Sequence, residues 1–355
     1  MAGPEGSKQY VPLTCHGHSR PVTHLSFSGF VAEEEYYLIS ACKDNNPMLR
    51  DGVTGDWIGT FFKHKGAVYQ ARLSSDAATA ATASADFTAR VWDTHTGEEI
   101  YAIQHHHIVR AIAFPPNSSS LLATGGMEKK LRIFDLDKIA PISNPSPNGT
   151  APSGNNTSDG NVILAETGFE VGPGVHKGTI KSIVWTQDPN ILVTAADDKV
   201  IRWWNLETRT VVQEQAVQGE IGSCEFTNVQ GEASDIGGGL PVLTIAAGNM
   251  VYFFGGPSSS TLLKSVTLRY EVASVALHPS QRKFITGGMK DTWAKVYDYD
   301  TEQEIDVHKG HHGPIWSISF SPDGKLYATG SEDGTIKMWK NCSGLFGLWR
   351  ADQES

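Results

Sequence analysis

Ala85-Asp86-Phe87-Thr88-Ala89-Arg90-Val91-Trp92-Asp93 decides the fold, because its two ends recur along the whole chain. Its acid stands six residues before its aromatic. The same step joins Glu128 to Phe134, Asp198 to Trp204, Asp291 to Tyr297 and Asp333 to Trp339. Asp44 reaches Arg50 at that offset, so the first copy is worn. The next residue sets the period: Asp51, Asp93 and Asp135 are 42 apart, and Asp298 to Lys340 is again 42. A repeat of about 40–45 residues ending in an aromatic and an acid marks a β-propeller of four-stranded blades. The predicted class is all-β, and most of the chain is scaffold.

A second periodic mark fixes the register. A histidine stands four residues before an aliphatic residue at His18, His64, His105, His176 and His311. Four residues before each acid lies Ser40, Thr82, Thr124, Thr194 or Thr329. With Asp44, Asp86, Asp198, Asp291 and Asp333, and with Trp92, Trp204 and Trp339, these form a predicted structural network. Indole N–H, hydroxyl, imidazole and carboxylate can bond in series. Each must come with its partners, because a stranded buried polar group costs about 1–3 kcal/mol. His, Ser and Asp also make a hydrolase triad, but a triad occurs once per active site and this set recurs at blade spacing. The expectation is no catalytic residue and no enzyme.

Blade ends at Asp51, Asp93, Asp135, Asn205, about Phe254, Asp298 and Lys340 number seven. The step from 135 to 205 exceeds the period of 42 by 28 residues, most of them a Pro-, Ser-, Asn- and Gly-rich stretch, Pro141 to Asn161. Such a composition cannot bury enough surface to order itself, so a disordered insertion is expected at about 138–161. Asn228 to Gly239 reads as a shorter Gly-rich loop inside the fifth blade. Residues 1–10 read as an N-terminal tail, 11–340 as the propeller and 341–355 as a C-terminal tail. Val11 to Cys15 has no blade of its own and is expected to supply the outer strand of the last blade, closing the ring.

A net charge of −10 disfavours broad contact with nucleic-acid phosphates. Four cysteines without CxxC spacing give no metal or disulfide framework. No apolar run of about 18 residues exists for a membrane span, and residues 1–10 lack a signal-peptide core. The expectation is a soluble, cytoplasmic chain, with nuclear presence also allowed, that needs no metal or cofactor. His105-His106-His107 invites a metal reading, but His105 belongs to the network and adjacent residues point apart.

The stretches Pro-Leu-Thr-Cys-His-Gly-His (12 to 18), Leu-Ile-Ser-Ala-Cys-Lys-Asp (38 to 44), Thr-Gly-Asp-Trp-Ile-Gly-Thr-Phe (54 to 61) and Ala85 to Asp93 resemble one family of WD-repeat propellers. It is the serine-threonine kinase receptor-associated, or Unr-interacting, family. Met48-Leu49-Arg50, standing where Trp-Asp is usual, is a shared oddity and the most telling part. The resemblance covers nearly the whole propeller and implies a non-catalytic adaptor. It also implies membership of the SMN complex, with Gemin-type partners, which loads Sm proteins onto spliceosomal RNAs. In animals it implies a link to receptor kinase signalling. The chain would then be a monomer within a larger assembly and would not capture nucleic acid directly. The alternative is the i subunit of translation initiation factor three, which shares His-Lys-Gly-Ala-Val (64 to 68) and Ala85 to Asp93 but not Met-Leu-Arg. The 141–161 insertion and the absence of an acidic tail depart from the family pattern.

Adaptor contacts on propellers usually come from loops on a rigid frame. The candidates by position are Arg20, Lys65, His107, Lys177 and His312, beside the periodic histidines. Trp57 and Phe61, in the outer strand of the first blade, could make an edge contact instead. Trp204 is expected as a core residue of its blade, with Trp203 facing the neighbouring one.

Overall fold

Residues 11–139 and 162–349 are described by a computed structural model of the chain. The expected insertion falls outside the described residues except at Lys138 and Ile139, where a short 3-10 turn, Leu136–Lys138, follows the third strand of blade 3. The expected N-terminal tail also lies outside them.

Seven sheets, antiparallel but for one added strand, make seven blades. Alternation of apolar and small polar residues, as in Ile315-Trp316-Ser317-Ile318-Ser319-Phe320, produces strands with two unlike faces. Blade 1 comprises Val22–Phe27, Tyr37–Cys42, Met48–Asp51 and Trp57–Thr60. The innermost strands of blades 2 to 7 are Val68–Leu73, Val109–Ala113, Ile180–Trp185, Ile221–Phe226, Val272–His278 and Ile315–Phe320. Leu13–Cys15 pairs with Ile336–Lys340 as the outer strand of blade 7, so the chain's two ends close the ring as expected. Closure hides an edge that would otherwise pair with other chains.

The blade-ending acids terminate strands in a common way. Asp93 Oδ1 accepts the backbone N–H groups of His95 and Thr96, and Asp298 Oδ1 those of Asp300 and Thr301. Such Asx turns use a short carboxylate to satisfy the first free donors after a strand. At the Ser321-Pro322-Asp323-Gly324 turn, Gly324 has φ +67, a conformation that favours glycine.

Each innermost strand carries a register shift after its first residue. A bulge there increases twist and redirects side chains, which suits a ring whose inner strands crowd together. The residues that follow tie neighbouring blades: the Ser317 hydroxyl accepts from Leu25 N, Gln70 Oε1 from Ile112 N, and Ser182 donates to the Cys224 carbonyl.

Three features differ from the linear reading. Ile163–Leu164, just after the insertion, pairs in parallel with Ile103 and Gln104 and adds a fifth strand to blade 2. The chain then returns as Phe169–Val171 to complete blade 3. Part of the expected C-terminal tail packs: Phe346 and Trp349 lie against the core between blades 7 and 1, and Trp349 Nε1 donates to the Val11 carbonyl at 3.2 Å. In the Asn228–Gly239 loop, Val229 and Ile236 are buried. Trp203 and Trp204 separate as alternation requires: Trp203 packs with Ile221, Leu243 and Phe254 of blade 5, Trp204 with Ile133 and Val171 of blade 3.

Candidate partner-binding face

The periodic polar residues meet inside the blades. In blade 2 the Trp92 indole N–H donates to Thr82 Oγ1 at 2.9 Å, Thr82 lies 2.7 Å from His64 Nε2, and His64 Nδ1 lies 2.8 Å from Asp86 Oδ2. Blade 7 repeats the series at 2.9, 2.7 and 3.0 Å through Trp339, Thr329, His311 and Asp333. The carboxylate requires Nδ1 to carry the proton, so Nε2 accepts from the threonine hydroxyl. Burial pushes the His64 imidazole below its usual range. Burial alone would raise Asp86 and Asp333, but the imidazole, the Thr88 or Thr335 hydroxyl and a backbone N–H hold both well below the ordinary carboxylate range.

The other five blades depart from the series; blade 5, with Ile221–Phe226, Leu243–Ala247 and Met250–Gly255, carries none of the set. In blade 1 His18 bonds Ser40 at 2.8 Å and Asp44 at 3.0 Å, but Arg50 stands in the tryptophan position. Arg50 is buried and donates to the Gly55 carbonyl at 3.1 Å and to the His16 carbonyl. It therefore ties blade 1 to the chain leaving the closing strand. In blade 3 Phe134 offers no N–H, and Thr124 Oγ1 and His105 Nε2 are buried without a partner. In blade 4 Arg202 stands between the imidazole and the acid: its Nη1 is 3.3 Å from His176 Nδ1 and within 3.0 Å of both Asp198 oxygens. The Trp204 N–H still reaches Thr194 at 2.8 Å. Burial, with Arg202 beside it, pushes His176 down to about 4.

Asp291, assigned to the same network from sequence, pairs instead with Lys295 at 2.7 Å. Tyr270 and Tyr297 take over in blade 6, with the Tyr270 hydroxyl 2.6 Å from Thr286 Oγ1 and 3.0 Å from that of Tyr297. The signal missed was a cation four residues after the acid, at Arg90, Arg132, Arg202, Lys295 and Lys337. Its pairs Arg132–Glu128, Arg202–Asp198 and Lys295–Asp291 are all made.

The network positions one rim of the ring. The residue after each periodic histidine sends its backbone N–H to the acid: Ser19 to Asp44 at 3.0 Å, Lys65 to Asp86 at 2.9 Å, His106 to Glu128 at 2.7 Å, Lys177 to Asp198 at 2.9 Å and His312 to Asp333 at 2.8 Å. Backbone is thereby fixed while the side chains of Lys65, Lys177 and His312 stay exposed. Arg20 and His107 are exposed too, one residue beyond that pinned position. Trp57 is 60% exposed on the outer edge of blade 1, whereas Phe61, expected beside it, is buried against Trp92.

Of the three consecutive histidines, His105 is buried beside Glu128, His106 pairs with Glu166 at 2.5 Å, and His107 lies against the Phe87 ring. His18, Cys42 and Asp44 also bring ligand-type atoms within 4.8 Å of one another. There the Cys42 Sγ lies 3.0 Å from the Arg20 carbonyl, and burial pushes the thiol up to about 12, so it stays protonated where a metal would need a thiolate.

A cluster that no linear pattern announced crosses the central channel. Glu225 of blade 5 meets Arg72 of blade 2 at 2.6 Å and His24 of blade 1 at 3.1 Å. Burial would raise Glu225; Arg72 and His24 bring it down to about 2. The cluster joins blades that are not neighbours and separates the channel's two mouths.

The description WD domain, G-beta repeat, matches residues 55–93, 97–135, 174–205 and 302–340. A serine-threonine kinase receptor-associated protein of Gallus gallus is 42% identical over 342 residues, 96% of this chain and 85% of the relative. One of Dictyostelium discoideum is 42% identical over 330 residues, 93% of this chain and 98% of the relative. A eukaryotic translation initiation factor 3 subunit I of Culex quinquefasciatus is 25% identical over 345 residues, 92% of this chain and 95% of the relative.

Proposed function

Because the chain belongs to the serine-threonine kinase receptor-associated protein family, we propose that it is a non-catalytic scaffold acting within the SMN complex in assembly of the spliceosomal Sm core. The observation that carries the scaffold reading is where the polar chemistry sits. In blades 2 and 7 the histidines, hydroxyls and carboxylates that imitate a hydrolase triad are used up by one another inside the sheets. What faces outward is a rigid rim of exposed side chains on pinned backbone, which suits holding other proteins.

The finer assignment to Sm-core assembly rests on the family, and on Met48-Leu49-Arg50, which the initiation-factor alternative does not share. Its seat would be the cytoplasm, with passage to the nucleus, and its direct partners Gemin-type proteins. A ring of this size has surface for interfaces of about 1,600 Å² with more than one partner. The acidic balance predicts weak binding of isolated small nuclear RNA at physiological salt. Affinity purification of the tagged chain after nuclease treatment, read by mass spectrometry, tests the assignment. Recovery of Gemin and Sm proteins supports it; recovery of initiation-factor subunits replaces it with the alternative.

A further inference from the structure

The two ends of the ring carry different charge. Because strands alternate in direction, the loops joining first to second strands and those joining third to fourth strands share one end. At that end the first set of loops carries Glu33, Glu34 and Glu35 in blade 1, Asp76 in blade 2, Asp188 in blade 4, Glu232 with Asp235 in blade 5, and Asp323 in blade 7. Only Arg282 and Lys325 oppose them in those loops. The second set adds Asp56, Glu98, Asp300 and Glu302 among others. Around the other rim, acids and bases nearly balance, with Arg20, Lys65, Lys177 and Lys199 among the bases. The chain's excess negative charge therefore sits at one end of the ring.

A cavity of about 620 Å³ opens at the centre of that acidic end, on the far side of the Glu225 cluster from the histidine rim. Its walls mix apolar side chains, among them Phe114, Pro115, Trp185, Phe226 and Leu240, with uncharged polar ones such as Ser74, Gln187 and Asn228. Among the described residues the only charged one lining it is Arg72, already held by Glu225. The loops of that end carry the carboxylates, some paired, as Asp300 is with Arg282 and Glu302 with Lys264. The cavity between them is uncharged apart from Arg72, a combination that favours cations outside and lets an apolar side chain pack on Phe114, Trp185 and Phe226 within.

We infer that this acidic mouth docks a basic segment of a partner protein, with one large apolar side chain seated in the cavity. The inference rests on the scaffold reading and names the chemistry of one partner for it. The seat is distinct from the rim of Arg20, Lys65, Lys177 and His312, so the ring can hold two partners at once.

The probe is a short fluorescein-labelled peptide of Lys-Ser repeats with one central Phe, titrated against the full chain by anisotropy. Binding should weaken at least about tenfold when salt rises to roughly 0.5 M, since Debye screening then acts over a few Å. Replacing the Phe by Ser should weaken it by about tenfold, the scale of one buried side chain. The variant Glu33→Gln with Glu34→Gln should weaken it by about three- to tenfold, whereas Glu220→Gln with Glu271→Gln, equal in charge but at the other end, should leave it unchanged. Equal loss from both pairs, equal affinity without the Phe, or equal binding of a Glu-for-Lys peptide would each overturn the inference. A purification from cells separates the two readings. Partners retained undiminished by the Glu33→Gln, Glu34→Gln chain sink this docking face and leave the scaffold standing. A wild-type chain that retains no partner removes both.

Discussion

Asp333→Ala tests whether the periodic histidine series holds the blades. The carboxylate of Asp333 takes the Nδ1–H of His311 at 3.0 Å, the backbone N–H of His312 at 2.8 Å, and the N–H and hydroxyl of Thr335 at 2.8 and 2.7 Å. His311 loses its charged acceptor: its side chain is 0% exposed, so its Nδ1–H is left only with the Thr335 hydroxyl oxygen at 3.2 Å, at a cost of about 1–3 kcal/mol. The His312 N–H sits on the exposed rim and regains solvent, while half-buried Thr335 adds about 0.5–1 kcal/mol. The sum is about 2–4 kcal/mol. With an unfolding entropy of about 2.1 cal/mol/K per residue, a ring of this length loses roughly 0.7 kcal/mol per degree, so the Tm should fall by about 3–6 °C. Scanning calorimetry reads the shift, and hydrogen exchange should localise the loosening to residues 311–340. A double-mutant cycle with His311→Phe should give a coupling of at least about 1 kcal/mol. An unchanged Tm with normal exchange in blade 7, or a coupling near zero, would refute the reasoning.

Arg50→Leu removes the donor to the His16 and Gly55 carbonyls and should cost about 1–3 kcal/mol, with faster exchange at residues 11–16 as the closing strand loosens; unchanged exchange there would count against the latch. Glu225→Ala leaves Arg72 and His24 facing each other uncompensated and should destabilise by about 3–5 kcal/mol in denaturant titration, a midpoint equal to wild type being the contrary result. Acid should act in two stages. His176 and His278, both pushed down to about 4 by burial, are neutral in the fold and take protons more readily when unfolded. Stability should therefore be full above pH about 6.5 and fall as pH drops toward 4. Below about 4 the depressed carboxylates, among them Asp44 at about 2, should add a second loss as the unfolded chain binds protons first. A Tm flat between pH 7 and 4 would contradict the first stage.

The comparison of sequence and structure turns on how far apart contacting residues lie. His64 and Asp86 are 22 residues apart, as are His311 and Asp333, within one antiparallel sheet whose strands follow one another along the chain. A contact made inside a repeating unit repeats with it, so periodicity marked the seven blades and the histidine, hydroxyl, acid and tryptophan series that blades 2 and 7 make. The same local logic failed where a blade changed its own chemistry. Arg202 took the acid from His176, and Tyr270 with Tyr297 replaced the histidine series in blade 6, because several side-chain sets can satisfy one buried hydroxyl. Ring closure decided the rest. His24 and Glu225 are 201 residues apart and meet only because blades 1 and 5 face each other across the channel. The fifth strand of blade 2 likewise comes from beyond the insertion, and no period marks it. The sequence lists the acids, but their gathering at one end depends on which loops the alternating strands bring together. Sequence by itself determined the number and order of the blades and the polar series of blades 2 and 7, since those contacts are short-range; the tertiary structure alone decided what the channel and the two ends present, since that depends on blades far apart in the chain.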